Sequence, residues 1–279
     1  MLNPAILSYI KNPVAILKNI SWRLTKRTSD KRHIFILGAP RSGTTLLQVL
    51  LTGHDELGGT MGETGTFTKQ NLFDMNRQHG RLADSVVKNL FSNSNDIIEF
   101  FDNLSTEILK KYGGNIFVEK TPQHILKLSY LLKHFPNSDF IHIYRDGRDC
   151  FCSARNNKNI PQHSTVTRYA KYWKNCIQSR MRINSNRVLD VSYENLTSNT
   201  EHEVKQIMSH LNLKFSPEQI DCNKYSKDVR SSQKTLSKLA SPIDNKSTDR
   251  WKTEMNEEEN KIYIKVGAKE QEYLGYPLS

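Results

Sequence analysis

Residues 38–45 (GAPRSGTT) form a glycine-rich segment whose residue types and spacing could bind an anion. Gly38 and Gly43 have the spacing of the nucleotide-binding P-loop, G-x-x-x-x-G-K-[ST]. Glycine allows a backbone to wrap closely around an anion with its N–H groups pointing inward, and hydroxyl side chains add donors. The alternative is an ordinary Gly-Pro turn before a helix. The candidate anion-binding residues of this segment are Gly38, Pro40, Arg41, Ser42, Gly43, Thr44 and Thr45.

The lysine of the P-loop pattern is absent, because Thr44 occupies its place. That lysine contacts the β- and γ-phosphates of a nucleoside triphosphate, so its absence argues against an ATPase or a GTPase. Arg41 supplies a cation nearby, and its planar guanidinium suits two parallel hydrogen bonds to an anion. The segment therefore predicts an anion site whose positive charge comes from an arginine.

A second candidate anion site follows the apolar run 140–144 (FIHIY). Arg145 comes directly after this run, and Ser153 lies eight residues later, in the helix that is predicted from about Asp149. Ligands of open α/β sheets bind beyond the carboxyl ends of strands, where an arginine and a helix hydroxyl can hold a phosphate monoester. The alternative is a turn closed by a local ion pair between an arginine and Asp146 or Asp149.

Apolar runs and helical patterns alternate along the chain, which indicates an α/β fold. Buried strands are predicted over 33–37, 116–118, 140–144 and 188–191. Helices are predicted from Thr44, over Gln123–His134, from about Asp149, over Thr165–Met181 and over Thr200–Leu211. Parallel strands need such crossovers, so we predict a single P-loop-type domain with a central parallel β-sheet flanked by helices on both faces. The aromatic residues of 165–181 are expected to pack inside the protein, and 224–249 is expected to be a long loop.

The 279-residue chain is basic, with 40 Lys and Arg against 29 Asp and Glu and a formal net charge of +11. A basic balance favours anionic partners such as nucleic acid, an anionic membrane or a polyphosphorylated small molecule. The four cysteines contain no C-x-x-C pair. This pattern argues against a zinc site and is typical of reduced thiols in a cytoplasmic protein.

Residues 1–30 form a basic amphipathic N-terminal segment, and residues 31–279 are predicted to form the domain. Within residues 1–28 lysines and arginines interrupt the apolar pattern, which argues against a signal peptide or a membrane anchor. We predict a helix that packs on the protein's own surface, with peripheral contact to a membrane as the alternative.

Two segments together resemble the cofactor motifs of sulfotransferases that use 3′-phosphoadenosine 5′-phosphosulfate (PAPS). GAPRSGTTLL (38–47) resembles their 5′-phosphosulfate loop, and IYRDGRDCFCSA (143–154) resembles their 3′-phosphate motif, including the interval of eight from arginine to serine. Further segments that look like recurrent segments of the family are VEKTP (118–122), VSYENL (191–196) and DRWK (249–252). The resemblance covers about residues 32–276 and is closest to the tyrosylprotein and carbohydrate-type branch.

The resemblance implies a sulfotransferase that moves a sulfuryl group from PAPS to an acceptor hydroxyl by in-line displacement, without a metal. The implied acceptor is a carbohydrate, a peptide tyrosine or a small molecule, and nucleic acid is not an expected partner. Two alternatives stay open. One is a P-loop small-molecule kinase, which would need ATP and Mg²⁺. The other is a non-enzymatic basic protein that binds nucleic acid or a membrane.

The resemblance also implies roles for single residues. Glu63, in the stretch MGET (61–64), is the candidate general base for the acceptor proton, and His54 is its rival. Lys120 would contact the oxygen that bridges sulfur and the 5′-phosphate, and Arg41 would hold the phosphosulfate. Solvated side chains are the alternative for Glu63 and Lys120.

The same resemblance assigns Arg145 and Ser153 to the 3′-phosphate, with Tyr193 completing the nucleotide pocket. Residues 237–243 and Arg250 resemble a lid over the nucleotide. The family often has lysine where this chain has Arg250, so the positive charge is kept but the contact geometry differs.

Overall fold

A computed structural model gives the structure of the protein and describes residues 13–75, 79–155, 157, 160, 164–221 and 243–279. The strands are β1 (His33–Gly38), β2 (Leu57–Gly58), β3 (Ile116–Lys120), β4 (Asp139–Tyr144) and β5 (Val188–Ser192). The first helices are α1 (Pro13–Arg23), α2 (Thr44–Thr52), α3 (Asp84–Ser92), α4 (Ile97–Tyr112), α5 (Leu128–His134) and α6 (Gly147–Ala154). The later helices are α7 (Val166–Met181), α8 (Tyr193–Ser198), α9 (Thr200–His210), α10 (Trp251–Glu254) and α11 (Glu257–Tyr273). Pro122–Lys127 and Pro217–Ile220 form 3₁₀ helices.

The strands of the described residues form one parallel sheet in the order β2-β3-β1-β4-β5. β1 lies in the centre, where Gly38 is in register with Ile143 of β4 and Ile36 is in register with Lys120 of β3. Because all strands run in the same direction, the segments that follow β3, β1 and β4 lie side by side at one edge of the sheet. The prediction of an α/β domain with a central parallel sheet is confirmed.

Both faces of the sheet are covered by helices. Side chains alternate across a strand, so Phe35 and Leu37 of β1 enter one core, whereas Ile34 and Ile36 enter the other. Helices α4, α7 and α11 contribute to the first core, and α2 and α9 contribute to the second. The predicted arrangement of helices on both faces is confirmed.

The segment after β3 differs from the single helix that was predicted over Gln123–His134. Its first part is a 3₁₀ helix, in which the His124 N–H donates to the carbonyl of Thr121, three residues earlier, at 3.0 Å. The α-helix begins only at Leu128. The tighter turn leaves His124 buried against Glu119 of β3, so a local side-chain contact accompanies the change of helix type.

The described part of the N-terminal segment packs against the domain. Trp22 of α1 is buried beside the rings of Phe73, Phe91 and Phe100, at centroid distances of 4.9, 6.0 and 6.2 Å. α1 therefore lies on the protein's own surface, with one aromatic side chain inserted into the first core. No helix among the described residues is both long enough and apolar enough to cross a bilayer.

Candidate active site

Three neighbouring strand ends bring the predicted anion-binding residues to one edge of the sheet. The glycine-rich loop follows β1, Arg145 follows β4, and Lys120 is the last residue of β3. Helices α2 and α6 begin at the same edge. Free N–H groups and the positive end of the helix dipole make such an edge attractive to an anion.

The loop after β1 has the backbone geometry of an anion cradle. Arg41 (φ +73°) and Gly43 (φ +103°) both have left-handed conformations, which is uncommon for a residue with a side chain such as Arg41. A Cβ atom on Gly43 would lie 2.4 Å from Cδ2 of Tyr193. A Cβ atom on Gly38 would lie 2.4 Å from the carbonyl oxygen of Ile143. Both glycines are therefore required by close contacts.

The same loop contains a buried hydroxyl and is supported by α7. Ser42 is fully buried, and its hydroxyl has no hydrogen-bond partner among the described residues. Buried polar groups are normally paired, so this hydroxyl is available to a ligand. Tyr169 of α7 donates its hydroxyl to the carbonyl of Pro40. The helix that was expected only to pack thus also holds the loop in position.

Arg145 connects the two candidate anion sites. Its guanidinium donates to the carbonyl of Arg41 at 3.1 Å and to the carbonyl of Ser247, and it lies 4.5 Å from the centroid of the Tyr193 ring. Its Nε is buried and has no partner within the described part of the chain. Arg41 in turn donates through Nε to Oγ of Ser153 at 3.0 Å. The structure therefore brings together four of the predicted site residues.

Local ion pairs, which were the alternative in this region, form at both Arg145 and Arg148. Arg148 pairs with Asp146 at 2.7 Å, and Arg145 forms a longer ion pair with Asp149 at 3.7 Å. Burial raises the pKa of the Asp149 carboxyl to about 6. Asp149 accepts the backbone N–H of Trp251 at 2.9 Å, which attaches α10 to the site.

The fold brings Glu63 and Lys120 into contact. Nζ of Lys120 donates to Oε1 of Glu63 at 3.1 Å. The side chain of Lys120 is only 5% exposed, whereas that of Glu63 is 49% exposed. The lysine is therefore buried beside the end of β1, and the carboxylate is open to an incoming molecule.

His54 lies at the other end of the sheet. α2 carries the chain about 13 Å away from the loop before it ends at Thr52. His54 then accepts the N–H of Glu56 at 3.2 Å, just before β2 begins. Glu63 comes after β2, so the geometry favours Glu63 over His54 as the candidate base.

The segment around Arg250 is attached to the site through its tryptophan. Arg250 makes two hydrogen bonds to Glu254 of the following helix, at 2.7 and 3.1 Å. The guanidinium of Arg148 lies 3.5 Å from the centroid of the Trp251 ring. Residues 237–242 of the expected lid lie outside the described residues.

Three residues of the site were not assigned from the sequence: Arg148, Asp149 and Tyr169. The motif RDGRD contained both arginines, but only packing shows that Arg148 lies against Trp251, whereas Arg145 contacts the glycine-rich loop. No motif signalled the contact of Tyr169 with Pro40, which joins positions distant in the chain. Within the described ranges, no group of three or more His, Cys, Asp or Glu residues could hold a metal ion.

Comparison with known proteins identifies a family for the chain. The sequence model described as "Sulfotransferase family" matches residues 33–217, which is more than half of the chain. A relative from Caenorhabditis briggsae is 26% identical over 235 residues, 78% of this chain and 80% of that protein. Protein-tyrosine sulfotransferase 1 of Danio rerio is 27% identical over 202 residues, 67% of this chain. The chain spans 55% of the length of the Danio rerio protein.

Solved structures share the fold. The sulfotransferase domain of an olefin synthase from Synechococcus PCC 7002 is 20% identical, with a TM-score of 0.70 over 92% of this chain and 99% of that chain. A mouse sulfotransferase solved in complex with PAP is 16% identical, with a TM-score of 0.50 over 91% of this chain and 89% of that chain. These findings favour sulfuryl transfer over the kinase and the non-enzymatic alternatives. The chain belongs to the sulfotransferase family and is an enzyme of sulfuryl transfer.

Proposed function

We propose that the chain transfers a sulfuryl group from PAPS to an acceptor hydroxyl, with peptide tyrosine as the first acceptor class to test. The observation that carries the proposal is the contact between Lys120 and Glu63 at the edge where the glycine-rich loop begins. A buried cation and an accessible carboxylate side by side suit a reaction that builds charge on a leaving group and removes a proton from an acceptor.

The residues at this edge fit a nucleotide with two anionic ends. The loop 38–45 offers the buried, unpaired hydroxyl of Ser42, and the described residues leave Nε of Arg145 unpaired as well. We assign the loop to the 5′-phosphosulfate, and Arg145 and Ser153 to the 3′-phosphate. Tyr193 would pack beside the nucleotide, and Arg250 stays a predicted lid residue. When bound, PAPS supplies the sulfuryl group and a phosphate leaving group.

The residues of the chain then have separate roles in the reaction. Arg41 fixes the sulfuryl donor through its charge and orients Ser153 through the hydrogen bond at 3.0 Å. Glu63 takes the proton of the acceptor hydroxyl at its exposed carboxylate. Lys120 stabilises the negative charge that develops as the sulfur–oxygen bond breaks. No metal is assigned a role, because Arg41 and Lys120 supply the positive charge.

The acceptor class is tested with radiolabelled PAPS and matched peptides. We expect label on a tyrosine peptide and none on the same peptide with phenylalanine. Label on a sugar or on a serine peptide alone would overturn the tyrosine proposal and keep the sulfotransferase one. Millimolar MgATP binding without binding of PAP would overturn the PAPS proposal.

We also propose that α1 contacts an anionic membrane surface peripherally. Leu17, Ile20 and Leu24 lie on one face of this helical region and are 69, 49 and 74% exposed. Lys18 and Lys26 are exposed beside them. An apolar stripe flanked by cations is complementary to a lipid surface with negative headgroups.

Co-sedimentation with phosphatidylserine vesicles tests the membrane proposal. Leu17→Asp combined with Leu24→Asp should abolish binding, whereas Tyr273→Asp, on an exposed residue of α11, should not. High salt should weaken the wild-type binding. Concentration-dependent self-association without vesicle binding would instead identify this face as a contact between two copies of the chain.

We infer a reducing, cytoplasm-like location for the enzyme. Cys150, Cys152 and Cys176 are buried and free among the described residues. Burial raises the pKa of the thiol of Cys176 to about 12, so it stays protonated and poorly reactive. A thiol count on the protein purified without reductant tests this location, and an intramolecular disulfide would contradict it.

A further inference from the structure

Glu119, the residue before Lys120 in β3, is a fully buried carboxylate that accepts hydrogen bonds from four donors. Its Oε1 accepts the hydroxyls of Thr64 and Thr121 at 2.8 and 2.6 Å. Its Oε2 accepts the Thr121 N–H at 3.1 Å and Nδ1 of His124 at 2.9 Å. Burial acts to raise the pKa of this carboxyl, but His124 and the hydroxyl donors outweigh it and hold the pKa below its usual value.

The donors of Glu119 are themselves bound to a second segment of the chain. Nε2 of His124 accepts the N–H of Phe67 at 3.2 Å, so the ring proton is on Nδ1 and is donated to Glu119. The hydroxyl of Thr121 likewise donates to Glu119 and accepts the N–H of Gly65 at 3.0 Å. Each group therefore has one bond to Glu119 and one to the segment 64–67.

The network joins this segment to the end of β3 at three points: the Thr64 hydroxyl, the Gly65 N–H and the Phe67 N–H. Glu63 directly precedes the segment, and Lys120 directly follows Glu119 in the chain. The two residues assigned to the chemistry thus emerge from the two sides of one buried network. They meet at 3.1 Å outside it.

We propose that Glu119 is a positioning residue for sulfuryl transfer, which holds Glu63 against Lys120 by binding the segment that carries Glu63. The inference rests on the proposed role of Glu63 as the base. A base must lie within hydrogen-bond reach of the proton that it accepts, and displacement by about 1 Å can cost 10²-fold in rate. Glu119 itself contacts no reacting atom in this scheme.

Thr64→Val tests the proposal with little change of shape. Valine lacks the hydroxyl that donates to Glu119 and accepts the Thr66 N–H at 3.4 Å. We therefore expect kcat to fall roughly 10-fold, between the loss of these hydrogen bonds and full misplacement of the base. The dissociation constant of PAP should stay unchanged. Thr64→Ser keeps the hydroxyl and should restore most of kcat.

Thr66→Val is the matched control from the same segment. Thr66 is also buried, but its hydroxyl has no hydrogen-bond partner among the described residues. We expect wild-type kcat for this variant. Equal losses of kcat in the Thr64 and Thr66 variants would show that the segment tolerates no valine, and the positioning role would be rejected.

A double-mutant cycle with Glu63→Gln shows whether Thr64 acts through Glu63. If it does, Thr64→Val should cause no further loss of kcat in the Glu63→Gln background. Additive losses would overturn the inference. Glu119→Gln, where it folds, should behave like Thr64→Val with a larger loss of kcat.

The kinetic results of these variants distinguish failure of the positioning role from failure of the proposed function. Near-normal kcat for Glu63→Gln alone would remove Glu63 as the base, and the inference would fall with it. A large loss for Glu63→Gln together with normal kcat for Thr64→Val would reject only the positioning role. Loss of PAP affinity in Thr64→Val would reassign the network to nucleotide binding.

Discussion

The two halves of the candidate site are built in different ways. On the side that we assign to the nucleotide, backbone geometry dominates: the left-handed Arg41 and Gly43 shape the loop that follows β1, beside the adjacent strand β4. On the side that we assign to the acceptor, side chains dominate: Lys120 contacts Glu63, and the segment after Glu63 is bound to Glu119. A short motif can encode the first half, whereas the second requires contacts between segments far apart in the chain.

The largest expected effect comes from removing the base on the acceptor side. Glu63→Gln keeps the shape and polarity of the side chain but cannot accept the proton. We expect kcat to fall by about 10²–10⁴-fold, the usual range for loss of a general base. The affinity for PAP, measured by calorimetry, should stay within a few-fold of wild type. A large loss of PAP affinity would show that the two halves are not separable.

Removal of a cation on the nucleotide side should weaken nucleotide binding more than it lowers kcat. Arg145→Ala deletes a charged donor, and the affinity for PAP should weaken by about 2 kcal/mol, roughly 30-fold. At saturating PAPS, kcat should change much less than it does in Glu63→Gln. Wild-type affinity in this variant would contradict the assignment of Arg145 to the 3′-phosphate.

Two nucleotides of different charge test the assignment of Arg145 and Ser153 to the 3′-phosphate. PAP, which carries both anionic ends, should raise the melting temperature by several degrees, because a ligand that binds only the folded state stabilises it. Adenosine 5′-phosphate lacks the 3′-phosphate and should raise the melting temperature far less. Equal shifts, measured by differential scanning fluorimetry, would remove the 3′-phosphate role of Arg145 and Ser153.

The effect confined to the narrowest conditions is a pH dependence of the unfolding free energy, caused by Asp149 on the nucleotide side. The raised pKa of Asp149, about 6, means that the folded state holds a proton that the unfolded chain has lost. Its contribution to the unfolding free energy is therefore present in acid and is lost as pH rises from about 4 to 6. Asp149→Asn should remove this decline, which amounts to about 3 kcal/mol for a rise in pKa from about 4 to about 6, as measured by urea unfolding. An unchanged slope would show that Asp149 does not titrate in this range.

The sequence predicted the strands β1, β3, β4 and β5 and the class of fold, because continuous apolar runs are the usual pattern of buried parallel strands. β2 was not predicted, since two residues carry no periodic pattern. The 3₁₀ geometry of Pro122–Lys127 was also missed, because the apolar pattern of so short a segment does not distinguish it from an α-helix.

Within the candidate site as well, features of one segment were predicted and contacts between distant segments were not. The glycine spacing and the position of Arg145 after a strand were readable locally, and the structure brings Arg41, Arg145 and Ser153 together. The roles assigned to these residues stay predictions. The support of the loop by Tyr169 was not foreseen, because neither residue of that contact determines it alone.

The hydrogen bond from Arg41 to Ser153 also has a consequence for nucleotide selectivity. Arg41, which we assign to the 5′-phosphosulfate, donates to Ser153, which we assign to the 3′-phosphate, and Arg145 donates to the carbonyl of Arg41. The two proposed anion sites are therefore connected by hydrogen bonds through Arg41. We expect binding of one anionic group of the nucleotide to strengthen binding of the other, so that affinities for the two groups are not additive.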